Sequence, residues 1–200
     1  MGDPEIVCFG ELNLADCYLA VGRLDEVATH LEPVIQESDR EGSLGDQWMR
    51  WRYVQHLYVN RGELALRRGD VPSALRWADQ CVTAAKESGS PRNVVKGLRL
   101  RGTALAEQRR FDEAVAAFTQ ALELARKVGN PFQIWRTLAA YSDARAAQGL
   151  DDGAAALANE ALVVVEAVAT SLGDAPLADT LRMSPPVVAL RSAAQPLEGV

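Results

Sequence analysis

Apolar residues recur at steps of three and four along most of this chain. Between residues 111 and 127, Phe111, Ala114, Val115, Phe118, Ala121, Leu122 and Ala125 form one continuous stripe. Such spacing marks a helix with one buried face. The same period predicts helices over 4–21, 24–38, 44–68, 71–87, 91–108, 111–127, 131–148 and 151–172, then two short ones near 174–182 and 185–194. No run of alternating apolar and polar residues competes as a strand, so the expected class is all-α.

The pattern repeats. Gly89-Ser90-Pro91 returns forty residues later as Gly129-Asn130-Pro131, and Ala74, Ala114 and Ala154 keep the same spacing. So do Gly69-Asp70-Val71, Arg109-Arg110-Phe111 and Gly149-Leu150-Asp151, while a looser first copy begins at Gly22-Arg23-Leu24-Asp25. Each mark has a physical role. A glycine ends one helix, a Ser or Asn oxygen caps the next, and a proline opens it where no N–H is needed. Each unit is therefore a helix, a tight turn, a second helix and a short loop. One repeat domain over 1–200 is expected, with units of about 4–42, 43–89, 90–129 and 130–172 and a C-terminal cap over 173–194.

These units resemble the tetratricopeptide repeat (TPR) family over about residues 8–172. The third unit supplies Leu98, Gly102, Leu105, Ala114, Phe118 and Ala121, and the second Tyr58, Gly62, Gly69, Ala74, Ala78 and Cys81. The fourth supplies Leu138, Ser142, Gly149, Ala154, Ala158 and Ala161, and the first Leu14, Ala15, Tyr18, Gly22, Val27, Leu31 and Val34. The helix-A aromatic is replaced by Ala65 in the second unit and by Arg145 in the fourth. The resemblance implies a right-handed α-solenoid of about four helix pairs. The segment Trp48–Tyr53, the run Gly62–Leu66, Asn130-Pro131 before Trp135, and the closing Leu172-Gly173-Asp174 and Ser184–Val187 also resemble the C-terminal TPR stretch of large bacterial ATPase and nucleotide-cyclase regulators. That likeness implies a sensing or assembly segment of a signalling or transcription regulator, without its ATPase or cyclase activity.

Composition narrows the choice. The chain has 200 residues, 48% of them hydrophobic, and a formal net charge of −6. That is enough apolar matter for a core, and it disfavours a general nucleic-acid binder. Trp48, Trp51 and Tyr53 interleaved with Arg50 and Arg52 raise base stacking as a weaker alternative; packing of an aromatic face with the arginines in water is the simpler expectation. Three cysteines without a CxxC pair suit a reducing cytosol and make no zinc site. The most apolar stretch, 161–169, is interrupted by Glu166 and is shorter than the roughly 20 residues of a membrane span. No phosphate-binding glycine loop, HExxH pair or nucleophile–base motif occurs. The reading is a cytoplasmic, non-enzymatic protein with no cofactor and no metal.

The TPR resemblance places helix A of each unit on a concave groove. Groove-facing positions are then Phe9, Leu12 and Asp16; His56, Val59, Asn60 and Glu63; Lys96, Arg99 and Thr103; and Arg136, Ala139 and Asp143. The candidate partner-binding residues are His56, Asn60, Lys96, Arg99 and Arg136, which predict a partner that is acidic where it meets them. A protein or peptide is the first reading, and an anionic small-molecule effector in the same groove the alternative. Ile6, Val7, Phe9, Leu12 and Leu14 crowd the first helix and predict stacking on further repeats or on a second copy.

Overall fold

The computed structural model describes residues 3–40, 42 and 48–194. Among these residues every regular element is helical. The order is α1 (Pro4–Val21), α2 (Leu24–Asp39), a π-helical turn (Met49–Tyr53), α3 (Val54–Arg67), α4 (Val71–Glu87), α5 (Pro91–Glu107), α6 (Phe111–Val128), α7 (Pro131–Ala147), α8 (Asp151–Ser171), α9 (Ala175–Arg182) and α10 (Pro185–Ala194). Most ends fall within a residue of the periodicity. The exception is the helix expected over 44–68. Its first four residues lie outside the described ones, and the rest begins with the π-helical turn. There Val54 N–H donates back to Met49 O, and the Gln55 side chain donates to Arg50 O at 2.7 Å. A side-chain amide thus satisfies a carbonyl in the wide turn, which leucine-and-alanine periodicity does not register.

The helix ends follow the capping chemistry. Gly129 takes φ 69°, Asn130 Oδ1 accepts from Gln133 N–H at 3.2 Å, and Pro131 opens α7. Asp70 caps α4 by accepting from Ser73 N–H, and Asp174 caps α9 by accepting from Leu177 N–H. Arg109 stands where the repeat elsewhere has glycine and is held at φ 58°, a left-handed conformation costly for a side chain with a Cβ.

The chain forms two compact units, residues 1–104 and 105–200. In the first, α1 pairs with α2, α3 with α4, and α1 and α2 both pack on α3. Its core gathers Leu12, Ala15, Val27, Leu31, Met49, Tyr53 and Leu57, all buried. Gly97 is required by closeness: a Cβ there would lie 2.8 Å from Val82 Cγ2 and 3.2 Å from the Ala78 carbonyl oxygen. In the second unit α7 lies between α6 and α8, and α8 carries α9 and α10. Leu138, Ala158, Ala161, Val165, Val187 and Leu190 make its core. Val187 and Leu190 lie back on α8 as a cap should. Leu177 on the eight-residue α9 is 53% exposed, and the buried residue of that helix is Ala178.

By length and composition alone α8 would be long and apolar enough to cross a membrane. In the structure it packs between α7 and α10, and its two glutamates are paired. Glu166 meets Arg182 at 3.0 Å and Arg191 at 3.8 Å, and Glu160 pairs with Arg126.

Candidate functional site

The candidate residues divide between the units. His56 and Asn60 on α3 and Lys96 and Arg99 on α5 belong to the first, and Arg136 on α7 to the second.

Within the first unit, His56, Asn60 and Lys96 gather around Asp16 of α1. His56 Nε2 lies 2.8 Å from Asp16 Oδ2. Asn60 is fully buried, and its Nδ2 donates to Leu12 O at 3.2 Å. Asn60 also hydrogen-bonds the Asp16 carboxylate, and Lys96 acts on it by charge. Burial pushes the Asp16 carboxyl up. The hydrogen bonds from His56 and Asn60 and the charges of His56 and Lys96 outweigh that and hold it below the ordinary carboxylate range. The Asn60 amide orientation follows from its neighbours, since a carbonyl and a carboxylate both require the amino side. Its Oδ1 is buried without a hydrogen-bond partner.

Two expectations about exposure need correction. Asn60 and Leu12 were placed facing the groove but are 1% and 0% exposed. Arg99 is 7% exposed and sits in the buried run Gly97–Leu100. A helix buried around most of its circumference keeps its long side chains inside, whatever face the repeat register assigns them. Arg136, by contrast, is exposed, and its guanidinium lies 5.4 Å from the Phe132 ring centroid one turn earlier.

A second feature of the first unit was not legible as a site. Phe9 and Asn13 of α1, Arg52 and Tyr53 of the π-helical turn, and His56 line an open cavity of about 350 Å³. Arg52 Nη1 donates to Glu5 Oε1 at 3.1 Å. The aromatic–arginine segment splits as packing requires: Met49 and Tyr53 are buried, while Trp51 is 56% exposed. Sequence periodicity pointed to Phe9 and His56, but it does not show that α1 and the segment leading into α3 meet here.

The histidines and cysteines show no catalytic arrangement. His30 Nδ1 is 2.6 Å from Glu11 Oε2, and its ring stacks on Tyr18 at 5.0 Å. Burial pushes the Cys8 thiol up to about 11 and the Cys81 thiol up to about 12, far from a reactive thiolate. Among the described residues no three His, Cys, Asp or Glu side chains are grouped to hold a metal.

With this geometry in hand, the known proteins it resembles are informative. The tetratricopeptide repeat family profile matches residues 53–127. A crystal structure of nearly identical TPR-like repeats from a Podosopora anserina protein assigned as a kinesin light chain superposes with a TM-score of 0.60. That alignment covers 97% of this chain and 85% of the other, at 16% sequence identity. The fold is TPR-like. No curated protein sequence matches the chain significantly. In TPR terms, α3/α4 is the hairpin whose helix A carries Gly62 at the small position, and α7/α8 the hairpin that places Ser142 there.

Proposed function

We propose that this chain is a non-enzymatic protein-interaction scaffold. It is one TPR-like domain whose helix-A positions hold a partner that is acidic where it meets Lys96 and Arg136. The observation that carries the reading is the TPR match over residues 53–127, because repeats of this kind generally present a protein-binding surface. The polar cluster of His56, Asn60 and Lys96 around Asp16 adds to it, since it sits on the helix A positions of three successive repeats. The finer reading is the sensing or assembly segment of a bacterial cytoplasmic regulator, supported by the likeness of Trp48–Tyr53 and Asn130-Pro131 to such proteins. Exposed Ile6, Phe9 and Leu14 on α1 support self-association through that helix.

The test is a paired capture from the native host. The wild-type chain is compared with Lys96→Gln/Arg136→Glu, with circular dichroism as the folding control. Arg99 is left untouched because it is buried. A partner held by the wild type and lost from a fully helical variant is the expected result. Equal capture by both moves the binding surface elsewhere.

A further inference from the structure

The cavity between α1, the π-helical turn and α3 lies wholly within the first unit and is distinct from the exposed Arg136 surface. Its wall combines two kinds of chemistry. Phe9 presents an aromatic ring that is 58% exposed, and Tyr53 a second ring that is 5% exposed. Arg52, His56 and Asn13 line the same cavity. Each of these polar side chains is fixed by one neighbour and keeps capacity beyond that bond. Asn13 Nδ2 donates to Phe9 O at 2.7 Å, leaving Oδ1 outside the bond. His56 uses Nε2 on Asp16, leaving Nδ1. Arg52 gives Nη1 to Glu5, out of five N–H donors. Arg52 and Tyr53 lie in a π-helical turn, a feature frequent at functional sites.

We propose that this cavity binds a small amphipathic carboxylate, its aromatic or branched aliphatic body against Phe9 and Tyr53 and its carboxylate on Arg52 and His56. Arginine offers a carboxylate two parallel hydrogen bonds, and the ring wall selects a ligand with an apolar part beside its charge. A volume of about 350 Å³ is within the range of small-molecule sites.

The probe is 3-phenylpropionate, titrated into the whole chain and followed by backbone amide shifts, with uncharged 3-phenylpropanamide as the control. Saturable shifts centred on Phe9, Asn13, Arg52, Tyr53 and His56 are expected, with the amide bound at least about tenfold more weakly. Arg52→Gln and Phe9→Ala should each weaken the acid by about tenfold while helicity holds, because both side chains are exposed. No saturable shift up to about 20 mM, shifts centred elsewhere, or equal binding of acid and amide would each overturn the proposal; millimolar dissociation constants are already the weak end of specific binding. Should a variant lose helicity, the acid–amide comparison on the wild type decides alone.

Discussion

Hairpins α3/α4 and α7/α8 have the same register eighty residues apart, yet they fill equivalent places with different chemistry. At the close crossing the first has Gly62, where a Cβ would run into Leu100 Cδ2 and approach Trp77 Cβ at 3.3 Å. The second has Ser142, which uses the space for a hydroxyl donating to Ala154 O at 2.8 Å. One residue earlier, Arg61 lays its guanidinium 3.7 Å from the Trp77 ring centroid. Its counterpart Tyr141 stacks on Phe118 at 5.3 Å and carries Arg145 on its other contacts, through a 3.1 Å hydrogen bond to Tyr141 Oη. The helix-B start differs too: Asp70 caps α4 with its side chain, while Leu150 before α8 has no side-chain cap. The backbone register therefore requires a volume at each place. Whether a ring, a cation on a ring or a hydroxyl supplies it depends on the neighbouring repeat.

The hardest test of that view removes a volume outright. Phe118 is fully buried and is the ring on which Tyr141 rests. Phe118→Ala should cost about 3–5 kcal/mol, the usual range for a buried aromatic, and should lower the denaturation midpoint of the second unit. An unchanged midpoint would mean that Tyr141 and Arg145 hold α7 without it.

Exchanging the two solutions at the crossing is the next test. Gly62→Ser should cost about 1–3 kcal/mol by overpacking against Leu100 and Trp77. Leu100→Ala in the same chain should recover part of that cost, seen as coupling in a double-mutant cycle. Ser142→Ala should cost only about 1 kcal/mol, the net value of one hydrogen bond. Equal costs at both places would show that the hydroxyl, rather than the space, is what the crossing requires.

The turns permit a comparison with the opposite sign. Gly69 and Gly149 have φ of 79° and 80°, and Arg109 occupies the equivalent turn at φ 58°. Arg109→Gly should therefore stabilise the second unit by about 0.5–1 kcal/mol, since glycine adopts this conformation without a Cβ penalty. A loss instead would mean that the Arg109 side chain contributes more than its backbone costs.

These same places show what the sequence made legible. Helix ends were readable because glycine, Asn or Asp, and proline act locally, and because the forty-residue period repeats them. Arg145 at an aromatic position looked like a break in the pattern. In the structure it hydrogen-bonds Gln148 and Tyr141 and keeps the packing through the tyrosine, a tertiary effect no local rule carries. The burial of Arg99 and Asn60 was hidden for a related reason. Register gives the direction of a side chain, but how much of a helix is covered depends on all its neighbours. The cavity beside Phe9 was hidden because two separate elements form it, and helix register alone does not say which elements meet.

The smallest effect tests whether the Asp16 cluster is held by charge or by shape. The Asp16 carboxyl is held below its ordinary range in the folded chain, so it contributes stability that is present above its unfolded value of about 4. That contribution disappears as pH falls through the lower folded value, because the protonated acid no longer attracts His56 and Lys96. Asp16 is about half exposed, so the gain is screened and should stay below about 1 kcal/mol. Asp16→Asn mimics the protonated acid in size. It should melt below the wild type at pH 7, and the two melting temperatures should converge as pH falls through the lowered folded value of Asp16, below which both chains are neutral at that position. A gap that stays unchanged down to the lowest pH at which the chain is folded would assign the loss to shape and to the hydrogen bonds with His56 and Asn60. The first unit would then tie α1 to α3 by geometry, as the second unit ties α7 to α8 through Ser142.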